Sequence, residues 1–256
     1  LNWIDQIGQH ECKVFSQNGE DGVIEFIFAN IGTTNKRYVE FGCDGGHECQ
    51  ARYLTEQCGW SGLLMDGGDW GPSVTKEFIT AENVNDIFIK YGVPREPDLL
   101  SIDIDGNDYW VRKALMDYRP RVIVHDYNGL FKPPVSITIA YDPQFVWSGN
   151  DYATASLAAF VKLNKTMGYT LVYCEKNGVN AFFIRDDLIK GLKIPAMEDL
   201  WRPLLIPPRD PVHEWRKRWV EVVLEGGVLV ERVLEPTPWL VDHPFRKSIP
   251  ADRLLR

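Results

Sequence analysis

The sequence predicts an α/β fold built on a mostly parallel, seven-stranded sheet with a terminal antiparallel hairpin strand. Three observations carry that expectation. Short apolar runs alternate with helical stretches from Tyr38 to about Lys190, the pattern of a parallel sheet with right-handed crossovers. Glu175-Lys176-Asn177-Gly178 separates the last two apolar runs, and Asn-Gly is a tight-hairpin signal. Gly42, Gly45 and Gly46 follow the first apolar run, where the backbone of an open α/β sheet comes close to a ligand.

Taken in order, the segment through Asn30 places Val23, Ile24, Phe26, Ile27 and Phe28 behind Glu20. Spacings of i, i+3 and i+4 fit a helix starting near Glu20. Strands are expected near 38–41, 62–66, 77–80, 98–103, 121–126, 169–174 and 179–184, and helices near 47–58, 83–91, 107–117 and 152–167. The connection from Gly129 to Asp151 is long for its place, as lids over organic substrates often are. It carries Phe131, Pro133, Pro134, Tyr141, Phe145 and Trp147. Past Lys190 the alternation stops. Residues 1–190 therefore form one domain with an N-terminal helical segment. Residues 191–256 form an extension packed on it or on a partner chain, a second copy included. That extension holds the charged patch Trp215-Arg216-Lys217-Arg218-Trp219 and a strand-like pair around Glu225-Gly226-Gly227.

Composition excludes several classes. With 45% hydrophobic and 12% aromatic residues the chain can build a real core. A net charge of −8 argues against nonspecific binding to nucleic acid or anionic membranes, which need clustered Lys and Arg. No apolar run approaches a membrane span. The five cysteines (Cys12, Cys43, Cys49, Cys58, Cys174) contain no C-x-x-C pair, so neither a zinc ribbon nor a full disulfide framework is indicated. Reduced thiols favour a cytoplasmic setting. Leu1 in place of an initiator Met implies a trimmed N-terminus and leaves an upstream targeting segment open.

Chemistry concentrates at the predicted strand ends. Glu40-x-Gly42-x-Asp44-Gly45 closes the first strand and Asp66 closes the second. An acid at the second strand end suits the two hydroxyls of a ribose. The departure from G-x-G-x-x-G matters, because acidic residues in the loop would repel a pyrophosphate. They suit the sulfonium and ammonium of S-adenosylmethionine, with Glu40 or Asp44 meeting the ammonium. Ala81-Glu82-Asn83 opens a helix after the third strand; Glu82 either bonds an adenine edge or belongs to a helix cap.

Leu99-Leu100-Ser101-Ile102 then runs into Asp103, Asp105 and Asp108, three acids within six residues. Asn107 and Asp108 read as turn chemistry, whereas Asp103 should still lie on the strand and share a pleat face with Asp105. Val122-Ile123-Val124 ends in His125-Asp126-Tyr127-Asn128. Asp103 with Asp126 and Asn128 could hold a hard divalent cation, Mg2+ or Mn2+, beside a substrate hydroxyl. His125 could accept the hydroxyl proton, with Asp105 beside it.

In combination, Ser16-Gln17-x-Gly19-Glu20-Asp21-Gly22, Tyr38-Val39-Glu40-Phe41-Gly42-x-Asp44-Gly45, Gly59-Trp60-x-Gly62-Leu63-Leu64-Met65-Asp66 and Leu99-Leu100-Ser101-Ile102-Asp103-Ile104-Asp105-Gly106 resemble the FkbM-type family of class I S-adenosylmethionine-dependent methyltransferases. The match spans roughly the first half of the chain. The resemblance implies a Rossmann-like fold and O-methylation of a hydroxyl on a small molecule or glycan. It further implies Glu40, Gly42, Asp44 and Asp66 as cofactor residues and Asp103 near the reacting methyl. Gly67-Gly68 after Asp66, and His125-Asp126 on a strand where relatives often carry Glu, depart from the family pattern.

Two other readings compete. Asp103-x-Asp105 after an apolar strand also resembles the metal-binding motif of glycosyltransferases that use sugar nucleotides. A methyltransferase-like binding protein without turnover is the other.

Overall fold

The computed structural model describes residues 2–205 and 218–234. Of the residues singled out above, Trp215, Arg216 and Lys217 lie outside them. A 3-10 helix (Trp3–Gln9) precedes α1 (Glu20–Ile31), β1 (Arg37–Phe41), α2 (Ala51–Cys58), β2 (Ser61–Asp66), β3 (Thr75–Lys76) and α3 (Val84–Lys90). Next come β4 (Leu99–Ile102), α4 (Asp108–Ala114), β5 (Val122–Asp126), β6 (Ile137–Ile139), α5 (Leu157–Thr166), β7 (Tyr169–Cys174) and β8 (Asn180–Arg185). A short 3-10 turn (Asp186–Leu188), α6 (Met197–Leu200), β9 (Trp219–Glu225) and β10 (Val228–Leu234) complete the described elements.

Seven strands form the main sheet in the order β3-β2-β1-β4-β5-β8-β7. The β3, β2, β1, β4 and β5 strands run parallel, while β8 is antiparallel to both β5 and β7. This is the Rossmann-like, mostly parallel seven-stranded layout the sequence predicts, with the antiparallel hairpin strand inserted before the edge. Strand order reverses between β1 and β4, so a crevice opens at the carboxyl ends of those two strands.

Alternation along the strands sorts side chains into two layers. Tyr38, Leu99, Val122 and Val124 pack with Val23, Ile24 and Ile27 of α1 and with Ala51 and Leu54 of α2. Val39, Phe41, Leu100 and Ile102 face the other way, onto Val84, Ile87 and Phe88 of α3 and Val111 of α4. On that same side Ile123 and Phe183 meet Leu157, Phe160 and Leu163 of α5. Burying these aliphatic and aromatic side chains on both faces is the main stabilising contribution.

Several boundaries differ from the sequence expectation. The strand expected at 77–80 is only Thr75–Lys76, because β2 stops at Asp66 and offers no further ladder; Phe78 and Ile79 turn into a cavity wall instead. The helix expected from 47 starts at Ala51, after a turn closed by Gly46 N–H on the Cys43 carbonyl at 2.8 Å. The helix expected from 152 starts at Leu157, where the Ser156 hydroxyl caps the Ala159 N–H.

The 129–151 connection is not one open loop. It contains β6, which pairs antiparallel with β9 in a second sheet of order β10-β9-β6. The strand-like pair around Gly226-Gly227 is the β9–β10 hairpin. Glu231 of that hairpin accepts from the Tyr109 hydroxyl (2.9 Å) and Lys113 (2.7 Å) of α4. All five cysteines are free thiols, Cys43, Cys49 and Cys174 buried and Cys12 exposed. No helix among the described residues is long and apolar enough to cross a membrane.

Candidate functional site

A cavity of about 750 Å³ lies at the carboxyl ends of β1, β2, β4 and β5, within the size range of small-molecule and cofactor sites. Gly42 forms part of its floor. Its φ is +76°, and a Cβ there would stand 1.2 Å from the Asp103 carbonyl oxygen. Only glycine lets β1 turn away at that point while β4 continues beside it. The Gly42 N–H bonds the Met65 carbonyl at 3.0 Å and the Asp103 N–H bonds the Phe41 carbonyl at 3.1 Å, so three strand ends meet at one spot.

At the β1–β2 side, Asp66 orders the loop above it. Its Oδ2 accepts from the Asp44 N–H at 3.0 Å, and its Oδ1 from the Gly68 N–H at 2.7 Å and Trp70 Nε1 at 2.8 Å. Asp44 holds φ at +46° and lines the cavity with Asp66. Partial burial, and then the charge of Asp66, raise the Asp44 carboxyl above its usual value.

At the β4–β5 side three carboxylates converge. One oxygen each from Asp103, Asp105 and Asp126 lies within 4.8 Å of the others. The register pairs Ile102 with His125, which puts Asp103 and Asp126 side by side one step further on. Asp105 joins them by a different route from the shared pleat face expected. β4 has ended at Ile102, and Asp105 turns through a left-handed φ of +55°. Asp108, fully buried, clamps that turn by accepting from the Ile104 N–H (2.8 Å) and the Gly106 N–H (2.7 Å). Gly106 is needed because a Cβ would meet the Phe145 ring at 2.4 Å. Burial first, and then Asp126 and Asp105, push the Asp103 carboxyl well above the carboxylate range.

Four of the expected site residues, His125, Glu40, Glu82 and Gly45, lie off the cavity wall. His125 is fully buried, stacks on Phe160 of α5 at 4.2 Å and does not line the cavity. Because neighbours on a strand point to opposite faces, Asp126 at the cavity sends His125 into the opposite layer. Burial, then Arg112, hold its pKa well below the imidazole value. Glu40 shares the Tyr38 face and points at α2. It is 4% exposed and accepts from the Gln50 and Ala51 N–H groups, each at 2.8 Å. It anchors the N-terminus of a helix and does not line the cavity.

Glu82 is exposed, takes the Tyr141 hydroxyl as its partner and also lies off the wall. Gly45 packs near the His47 ring, away from the cavity lining. Asn128 does line the cavity, but its amide donates to the Asp151 and Ala153 carbonyls at 3.0 and 3.2 Å and accepts from the Leu130 N–H. It staples the following loop.

Other lining residues were not expected as cofactor, metal or catalytic residues. Phe78 and Ile79 form an apolar wall, and Gln17 enters from the segment before α1. Phe145 and Trp147, expected as acceptor-covering aromatics, do line the cavity; Phe131 instead packs on Trp219, 5.1 Å between centroids. The lining carboxylates are Asp44 and Asp66 at one end, Glu77, and Asp103, Asp105, Asp126 and Asp151 toward the other. Among the described residues no Lys, Arg or His joins them.

No family model matches the chain, and no curated protein matches it. The FkbM-type resemblance therefore rests on its motifs. Among solved structures the chain is similar to an S-adenosylmethionine-dependent methyltransferase from Clostridium acetobutylicum ATCC 824, at 10% identity and a TM-score of 0.36, covering 65% of this chain and 90% of that one. It is also similar to magnesium protoporphyrin IX methyltransferase from Synechocystis PCC 6803 with bound SAM, at 11% identity and a TM-score of 0.36, covering 72% and 85%. A third is the CMeT domain of the citrinin polyketide synthase, at 10% identity and a TM-score of 0.34, covering 72% and 52%. At these scores the likenesses carry no weight; the strand order and the cavity's own chemistry do.

Proposed function

We propose that this chain is an S-adenosylmethionine-dependent methyltransferase whose acceptor is an uncharged or cationic small molecule or glycan bearing a hydroxyl. The observation that carries the reading is one cavity at the topological switch point, lined by Gly42, Asp44 and Asp66 at one end and by the Asp103–Asp105–Asp126 trio at the other. A carboxylate wall without described cations favours a sulfonium cofactor and disfavours a diphosphate or an anionic acceptor.

In this scheme the adenosine end lies over the β2 end, with Asp66 toward the ribose and Phe78 and Ile79 beside the base. The acceptor oxygen attacks the methyl in line with the departing sulfur, so the protein supplies mainly position and deprotonation. A carboxylate of the trio takes the proton, the role expected of His125. The three carboxylates are hard oxygen donors and fit a divalent cation such as Mg2+ or Mn2+, which when bound would lower the pKa of the acceptor hydroxyl.

Calorimetry with S-adenosylhomocysteine tests the reading: binding supports it, and no binding by the intact protein overturns it. The glycosyltransferase alternative keeps one supporting observation, the convergence of Asp103 and Asp105. Stabilisation by a nucleoside diphosphate with Mn2+, and none by S-adenosylhomocysteine, would favour it.

A further inference from the structure

The loop before α1 carries Ser16 and Gln17, and the chemistry above gives neither a role. This loop is held firmly. Asp21, 1% exposed, turns Oδ2 back to accept from the N–H groups of Val14 (2.8 Å), Phe15 (2.7 Å) and Ser16 (2.8 Å) and from the Ser16 hydroxyl (2.9 Å). Three successive N–H groups on one carboxylate oxygen are charge-assisted bonds that fix the backbone path. Buried Glu20 adds the Asn18 N–H at 2.8 Å and Asn180 Nδ2 at 2.8 Å, tying the loop to β8. Lys13 pairs with Glu48 at 3.2 Å, and the Arg52 guanidinium stands 4.1 Å over the Phe15 ring. The loop therefore runs alongside the β1–α2 connection, and Gln17 projects from it onto the cavity wall.

Gln17 differs from the other donor-bearing side chains of that wall. Asn107 donates to the Asp142 carbonyl, Tyr127 to Arg202, Asn128 to Asp151 and Ala153, Trp147 to Asn150, Asn150 to Ser148 and Thr154 to Asp126. Each of these already serves a protein acceptor. Gln17 is exposed; its Oε1 accepts from Asn18 Nδ2 at 3.2 Å, and among the described residues nothing accepts from Nε2, so that donor faces solvent at the cavity mouth and is open to a ligand. The charged groups of the described wall are carboxylates. S-adenosylmethionine is cationic at sulfur and at its amine, but its methionyl part ends in a carboxylate. An acidic wall repels that group unless a donor meets it.

We propose that Gln17 Nε2 receives the methionyl carboxylate of the cofactor, forming a carboxylate subsite beside the β1–α2 connection on a loop held by Asp21. The subsite rests on the cofactor reading of the preceding section. It gives the Ser16-Gln17-x-Gly19-Glu20-Asp21 stretch a single purpose: the acids brace the backbone and the glutamine faces the ligand.

Calorimetry with two ligands tests it. S-adenosylhomocysteine carries the carboxylate; its decarboxylated analogue keeps the adenosine, thioether and amine and lacks only that group. Gln17→Ala is expected to weaken S-adenosylhomocysteine about tenfold, the loss of one hydrogen bond to a charged group, and to leave the analogue unchanged. Gln17→Glu, which sets charge against charge, is expected to weaken S-adenosylhomocysteine further and again spare the analogue. An unchanged affinity for S-adenosylhomocysteine in either variant, or equal losses for both ligands, overturns the subsite. If the wild-type protein binds no S-adenosylhomocysteine, the cofactor reading falls and the subsite with it. Wild-type binding that Gln17 does not affect removes the subsite alone.

Discussion

Gly42 lies so close to Asp103 that a Cβ on it would stand 1.2 Å from the Asp103 carbonyl oxygen. This contact joins the ends of β1 and β4 at the point where the strand order reverses, and everything in the cavity is arranged around it. Gly42→Ala must therefore move backbone, and it also places a side chain at φ +76°. We expect a loss of about 3 kcal/mol or more in urea unfolding. Gly59→Ala is the control. Gly59 has a similar φ of +67°, but a Cβ added to it would meet nothing within 4 Å, so only the conformational cost of about 1–2 kcal/mol applies. Equal losses in the two variants would contradict the close-approach account.

Glu40 gives a pH-dependent prediction. Burial raises its carboxyl to about 7 against an ordinary 4.5. The folded protein thus holds this proton more tightly than the unfolded chain does. The resulting stabilisation is full below the unfolded value and is lost as pH rises through the folded one. Glu40→Gln removes the titration and turns an N–H toward the Ala51 N–H, a cost of about 1–2 kcal/mol in acid. Urea unfolding of both proteins should show the wild-type advantage largest near pH 5 and smaller near pH 8. An advantage that grows toward alkaline pH would contradict the assignment.

His125 is expected to be dispensable. Both ring nitrogens are buried, neither has a hydrogen-bond partner among the described residues, and the ring stacks on Phe160. His125→Phe replaces it with an apolar ring of similar size, so stability should hold or rise by about 1 kcal/mol and affinity for S-adenosylhomocysteine should not change. A loss of cofactor affinity with the fold intact, read by calorimetry and circular dichroism, would show that the residue reaches the site.

The carboxylate trio predicts opposite effects with and without a cation. Carboxyls converging at Asp103, Asp105 and Asp126 repel one another in their charged forms, which with burial drives Asp103 toward its protonated form, so Asp126→Asn should stabilise the cation-free protein by roughly 1–3 kcal/mol. In the wild type, millimolar Mn2+ should raise the unfolding temperature, and in the variant that shift should be lost. A wild-type protein indifferent to both Mn2+ and Mg2+ would leave the carboxylates to act as a base alone.

The fold was legible because its signals are local. The alternating runs from β1 to β8 and the Asn177-Gly178 turn belong to segments that repeat one period over several residues. The cavity lining was legible at the strand ends, at Gly42, Asp44, Asp66, Asp103 and Asp126, and in two aromatics of the long connection, Phe145 and Trp147. Which face a strand residue presents depends on register, and the sequence does not print register. Hence Glu40 and His125, one residue away from the right alternation, went to the helices. Gln17 reaches the cavity from the segment before α1, Phe78 from beyond a two-residue strand, and Asp105 through a left-handed turn. No period marks any of these three.

The most direct test of the central claim is calorimetric titration of the intact wild-type protein with S-adenosylhomocysteine, with UDP plus Mn2+ run in parallel. The account predicts one-to-one binding of S-adenosylhomocysteine with a Kd on the order of 1–100 µM and no comparable heat from the nucleotide. Binding of the nucleotide with none of S-adenosylhomocysteine would contradict it.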